Sequence, residues 1–217
     1  QGIHGACPSE MLHALLLGVF KYTRDCFFAQ IGPFSQAARS INGLADLYGD
    51  LFNRQSERDK PKCSFGEGIN GGKVMAKEFR GILLVIAAVL RSQKGQDLLS
   101  RKENFSSPQD YKDWVLLIEM LLEWEAFLNE PEMTVKHIRS LQMKNRFIMY
   151  LVKKTCNRTK GMGMKLMKFH AIIHMILDIY LFGVPTEVDT GANESHHKVS
   201  KIAARLTQKN VTTFDFQ

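Results

Sequence analysis

The segment 107–129, SPQDYKDWVLLIEMLLEWEAFLN, carries the clearest helical pattern in this chain of 217 residues. Ser107 is a favourable N-cap, and Pro108 is well tolerated at the first helical position. Apolar side chains then recur three and four residues apart and define a core face: Trp114, Leu117, Ile118, Leu121, Leu122 and Trp124. The segment therefore predicts a long helix that packs through one side.

The same spacing continues through most of the chain, whereas the alternation typical of half-buried strands is scarce. It predicts a first helix from about Pro8 to a stop at Gly32 and Pro33. Further helices are expected over 35–54, 74–92, 134–157, 165–182 and 193–209. We therefore expect a mainly helical protein.

Charge, composition and cysteine content indicate which partners and which cellular location to expect. Lys and Arg number 29 against 22 Asp and Glu, a net charge of +7 that favours an anionic partner, nucleic acid first. The hydrophobic share of 45% argues against intrinsic disorder. The longest apolar run, residues 82–90, is about half of the roughly 20 residues that span a bilayer, so no membrane partner is expected. Four cysteines without close pairing predict reduced thiols and an intracellular location.

One polar stripe interrupts an otherwise apolar helix. His170, His174 and Asp178 are spaced four residues apart and fall on one side of the helix predicted over 165–182. Apolar residues cover nearly every other direction, which predicts that the helix and its stripe are buried. The stripe is then a hydrogen-bonded core network, the commoner outcome, or a metal site that Zn or Fe would accept. Ala171 stands where the zinc protease motif HExxH has Glu.

The helix predicted over 193–209 has one charged face. Glu194, Lys198, Lys201 and Arg205 share it, with His197 at its margin. The face is either a solvated surface with a Glu194 to Lys198 pair or a carboxylate at a metal centre with cations for phosphates beyond it.

The first residues are also dense in polar side chains. His4, Cys7, Glu10 and His13 lie within ten residues. Glu10 and His13 form either a surface pair at a helix start or part of a metal site to which His4 and Cys7 contribute.

Taken together, the two ends of the chain resemble a known family. Residues 2–13, GIHGACPSEMLH, followed by LGVF at 17–20, resemble the P-x-[DE]-x-L-H and hydrophobic-Gly block of eukaryotic cut-and-paste transposases of the CACTA (En/Spm-like) and Plavaka-like groups. KFH at 168–170, His174, FG at 182–183 and NESHHK at 193–198 are similar to the downstream K-x-H, H, f-G and E-x-x-H-K signature.

The resemblance implies a DDE enzyme with an RNase H-like core, interrupted by a helical insertion before its last acidic residue. Two Asp and one Glu of such enzymes hold two Mg²⁺ or Mn²⁺ ions for in-line attack on DNA phosphodiesters. Glu194 would be the last carboxylate and metal ligand. The resemblance also implies DNA as the partner and a nuclear location, and it leaves a structural Zn²⁺ and a homo-oligomer open. The supporting residues would be His197, His170, His174, Asp178, Glu10 and His13, and the DNA contacts Lys198, Lys201, Arg205 and Lys209.

The chain departs from the family because no strand bearing a convincing catalytic Asp is visible. Since relatives carry both Asp residues before the block at Glu10, we expect them upstream of Gln1. Residues 1–160 would then be the helical insertion-type domain, and 161–217 the end of the core with its final Glu helix, inactive alone. Glu187 is a rival carboxylate without the following His-Lys.

Two alternatives stay open. One is a catalytically dead helical module, derived from a transposon, that binds DNA or protein. The other is a zinc metallohydrolase that uses His170, His174 and Asp178.

Overall fold

The computed structural model describes residues 12–32, 39–40, 43–44, 48, 78–99, 107–156 and 167–188. Helices hold 90% of these residues and no strand occurs among them. The prediction of a mainly helical protein is therefore confirmed for this part of the chain. No described helix is long and apolar enough to cross a membrane.

Along the chain, the described helices have the following order. A π-helix, Leu12–Phe20, runs directly into α1, Lys21–Ile31. Next come α2 (Phe79–Arg91), α3 (Gln93–Leu99), α4 (Pro108–Leu128), α5 (Val135–Thr155), α6 (Met167–Phe182) and a 3₁₀-helix, Pro185–Val188.

Several helix ends lie where the sequence predicts them. The Ser107 hydroxyl accepts from the Asp110 backbone N–H at 3.2 Å, and the Asp110 carboxylate accepts from the Ser107 N–H at 2.9 Å. This reciprocal capping box starts α4. Gly32 (φ 77°) and Gly183 (φ 95°) follow the last residues of α1 and α6, in a backbone region that favours glycine.

Two features differ from the sequence prediction. The first nine described residues are wound as a π-helix, whereas a continuous α-helix was predicted from about Pro8. Helix α3 was not predicted, because it is short and contains Gly95, which has a low helix propensity.

The core lies where α4 packs between α2 and α5. Trp114 and Trp124 of α4 are fully buried, and Phe27 of α1 meets the Trp114 ring edge-on at 5.2 Å between ring centres. The Trp114 indole N–H also donates to Gln30 Oε1 at 2.8 Å, so α1 is joined to α4 by polar and apolar contacts. Helix α6 packs on the π-helix and on α5, which brings the two ends of the described chain together.

Candidate functional site

The candidate site lies where α6 packs on the π-helix. Lys168, at the start of α6, donates from Nζ to the Leu17 carbonyl oxygen at 2.8 Å. Its side-chain stem passes over Gly18: a Cβ atom added to Gly18 would lie 3.2 Å from Cβ of Lys168 and 3.0 Å from the backbone oxygen of His13. Glycine at position 18 therefore permits the close approach of the two helices.

A ring contact one turn further along the first segment extends this packing. Phe169 is buried, and its ring meets the ring of Tyr22 edge-on at 5.1 Å between centres. The LGVF block at 17–20 and the KFH block at 168–170 are thus neighbours in space.

The histidines of α6 point outward. His170 and His174 are both exposed, with their Nε2 atoms 3.0 Å apart and their ring centres separated by 4.6 Å. A hydrogen bond between two Nε2 atoms requires one ring to carry its hydrogen there and the other to lack it. Asp178 follows one turn after His174 and is half-buried.

The prediction of a buried His/His/Asp stripe is therefore wrong for the described structure. The apolar residues of α6 surround the helix, but only one face packs: Phe169, Ile172, Met175 and Ile179 are buried. The other face leaves four large apolar side chains in solvent beside the histidines, namely Ile173, Leu177, Tyr180 and Leu181. Because α6 has apolar residues on all sides, its sequence does not show which face packs against other helices.

The spacing of the histidine pair would suit two of the ligands of a zinc ion. Two imidazole nitrogens bound to one tetrahedral Zn²⁺ lie about 3.3 Å apart, close to the 3.0 Å seen between His170 and His174. A structural site needs four ligands. Among the residues that the structure describes, no group of three or more His, Cys, Asp or Glu side chains could hold a metal.

The remaining predicted site residues divide into two groups. His13 is exposed on the π-helix, and Glu187 is exposed on the 3₁₀-helix that follows α6. The others lie outside the described residues: Glu10, Glu194, His197, Lys198, Lys201, Arg205 and Lys209. The predicted charged helix over 193–209 therefore stays a prediction.

Helix α4 carries two buried carboxylates with oppositely shifted pKa values: Asp113 pairs with Lys154 of α5, and Glu125 pairs with Arg80 of α2. Burial works against the ionisation of Asp113, but hydrogen bonds from Lys154 at 2.7 Å and Gln109 at 3.0 Å lower its pKa below the ordinary value. Burial raises the pKa of Glu125, which Arg80 at 3.2 Å and Asn129 at 2.8 Å offset only in part. Both groups join helices and serve the fold.

Two free cysteines from distant parts of the sequence meet in the core. Cys26 of α1 and Cys156 at the end of α5 are both buried. Their hydrogen bond, together with burial, raises the pKa of Cys156, and the same bond lowers that of Cys26. No spacing in the sequence indicates this contact.

In comparisons with models of known protein families, with functionally characterised proteins and with solved structures, the chain matches none.

Proposed function

We propose that this chain is the later part of a DDE transposase, with a helical insertion followed by the last catalytic helix. In the complete enzyme, Glu194 would act with two aspartates upstream of Gln1. The proposal starts from the two sequence blocks that resemble CACTA and Plavaka-like transposases. An RNase H-like core is part of the proposal and would involve residues beyond those described.

One observation carries the proposal. The LGVF part of the first block and the KFH part of the second lie about 150 residues apart in sequence and yet contact each other, through Lys168 on the Leu17 carbonyl and over Gly18. The resemblance rests on each block separately and implies no contact between them. Their contact supports a single unit to which both ends contribute.

The chemistry would follow from the carboxylate and its cationic surroundings. Carboxylate oxygens are the ligands that Mg²⁺ and Mn²⁺ prefer, and the bound ions would activate the attacking oxygen and stabilise the leaving one. Glu194 would hold them together with the upstream aspartates. Lys198, Lys201, Arg205 and Lys209 would bind the DNA backbone and position the phosphodiester.

The described residues lend no support to the alternative of a zinc metallohydrolase. A catalytic zinc has three protein ligands, and in the described ranges His170 and His174 belong to no such set.

The first experiment is to determine the coding sequence upstream of Gln1 and to express the complete protein. Glu194→Gln is then compared with Glu187→Gln, which removes the same charge from the exposed 3₁₀-helix. Cleavage is measured with Mg²⁺ or Mn²⁺ on duplexes that carry the DNA ends flanking the gene, and binding is measured on the same duplexes.

We expect Glu194→Gln to lose strand cleavage and keep DNA binding, while Glu187→Gln retains both. Wild-type cleavage by Glu194→Gln would overturn the assignment of the carboxylate. An upstream reading frame without two aspartates at strand ends would overturn the proposal of a catalytic core.

A further inference from the structure

The outward side of α5 combines cations with exposed rings. Six residues share about a third of the helix circumference: Arg139, Met143, Arg146, Phe147, Tyr150 and Lys153. All six are exposed. We call this surface the outer stripe of α5.

The cations of the outer stripe are available to a partner. Helix α5 contains no Asp or Glu. Its Lys144 and Lys154 pair with Glu123 and Asp113 of α4. None of the ion pairs among the described residues involves Arg139, Arg146 or Lys153.

Two aromatic rings lie among these cations. Phe147 is 42% exposed and Tyr150 is 57% exposed. Their rings are nearly parallel, at 18° with centres 6.4 Å apart. Exposed aromatic rings beside cations are the combination that surfaces binding single-stranded nucleic acid use.

From this combination we infer that the outer stripe of α5 binds single-stranded nucleic acid. Arg139, Arg146 and Lys153 are spaced seven residues apart, so they cover about 21 Å of the helix. At roughly 3.4 Å for each stacked nucleotide, that length matches about six nucleotides. The cations contact phosphates, and the rings of Phe147 and Tyr150 stack on bases.

Unpaired bases fit this surface better than a duplex or a membrane does. A duplex hides the faces of its bases, whereas a single strand offers them to aromatic side chains. The opposite side of α5 packs in the core through Ile138, Leu141 and Ile148. The outward side has only a few apolar side chains, and Arg and Lys separate them. An interfacial membrane helix needs a larger continuous apolar face.

The inference goes beyond the proposed transposase activity. It concerns a different helix from Glu194, and its test requires no cleavage and no upstream residues. The affinity of the 217-residue chain for a labelled 20-nucleotide oligothymidine is measured by fluorescence anisotropy at several salt concentrations.

Two double variants separate the roles. Arg139→Gln with Arg146→Gln should weaken binding at least tenfold and reduce the slope of log affinity against log salt by about 1.4, because two phosphate contacts are lost. Phe147→Leu with Tyr150→Leu keeps the charge and apolar bulk, and should weaken binding between about fivefold and a hundredfold. The ring exchange Phe147→Tyr with Tyr150→Phe keeps two aromatic rings and should bind as tightly as the wild type.

Lys94→Gln with Lys112→Gln is the matched charge control, since both lysines are exposed on other helices. This control should bind nearly as the wild type, and circular dichroism should confirm that every variant is helical. Equal weakening by the control would reduce the inference to non-specific charge and overturn the site. A duplex bound as tightly as the single strand, or binding only to phosphatidylserine vesicles, would also overturn it.

Discussion

Lys168 and Leu17, 151 residues apart in sequence, are joined by a hydrogen bond of 2.8 Å from Nζ to the backbone carbonyl oxygen. The stem of Lys168 also passes over Gly18, so one side chain makes a polar and a steric contact with the π-helix. Because charge-assisted hydrogen bonds are stronger than neutral ones, this contact helps to hold α6 against the start of the described chain.

The steric part of this contact predicts opposite outcomes for two glycines. Gly18→Ala would place Cβ 3.0 Å from the backbone oxygen of His13 and 3.2 Å from Cβ of Lys168, and neither atom is the free end of a flexible side chain. Overpacking of this kind costs about 1–3 kcal/mol, more than the gain of up to about 1 kcal/mol in helix propensity. Gly43 is helical, and no atom of the described residues lies within 4 Å of its would-be Cβ. Gly43→Ala should therefore raise the free energy of unfolding, and Gly18→Ala should lower it.

Urea unfolding followed by circular dichroism gives both values. If Gly18→Ala proved as stable as Gly43→Ala, the tight packing around Gly18, by His13 and by Lys168, would be refuted.

The two buried carboxylates of α4 predict a second pair of opposite effects. Asp113→Asn removes a charge whose pKa is lowered, because Lys154 and Gln109 stabilise it despite burial. We expect the free energy of unfolding at about pH 7 to fall by about 1 kcal/mol. Glu125→Gln removes a charge whose pKa burial has raised, and the new amide oxygen still accepts from Asn129. We expect stability at the same pH to stay the same or rise.

The two carboxylates also change the pH dependence of the free energy of unfolding in opposite directions. The contribution of Asp113 is present above its ordinary pKa of 3.8 and is lost as the pH falls through its lower folded value. Glu125 costs stability as the pH rises past its ordinary value of 4.5 and through its higher folded value. Urea midpoints between about pH 3 and 8 measure both effects as differences from the wild type. Equal losses in both variants at neutral pH would contradict this account.

The helical class and several helix ends were predictable because the signals are local. The capping box at Ser107 and the stops at Gly32 and Gly183 depend on residues within one turn of the boundary. The π-helix at Leu12–Phe20 was not predictable, since its apolar spacing also suits an α-helix.

The candidate site was predictable only in part, because its assembly depends on tertiary contacts. The sequence singled out Lys168 and Gly18 separately, but no local signal gives the packing of one on the other. The exposure of His170 and His174 depends on which face of α6 has neighbours, and an all-round apolar helix does not reveal that. The outer stripe of α5 left a usable signal in the seven-residue spacing of Arg139, Arg146 and Lys153.

The histidine pair of α6 predicts a specific response to zinc. His170 and His174 hold their Nε2 atoms 3.0 Å apart on exposed turns of a folded helix. The unfolded chain does not hold that spacing, so Zn²⁺ should bind the native state more tightly and raise the melting temperature. Each kcal/mol of such linkage shifts the melting temperature of a chain of this size by about 2–4 °C. We expect a saturable rise of a few degrees.

His174→Ala should abolish the zinc response, since one imidazole remains. His137→Ala is the matched control: His137 is exposed on α5, where its ring packs against Phe127 at 5.7 Å between centres, and its loss should leave the response intact. Mg²⁺ at the same concentration should leave the melting temperature unchanged, because it prefers oxygen ligands to imidazole. A zinc response that survives in His174→Ala would place the ligands elsewhere in the chain, and no response in the wild type would show that the pair is too weak a chelate to stabilise α6.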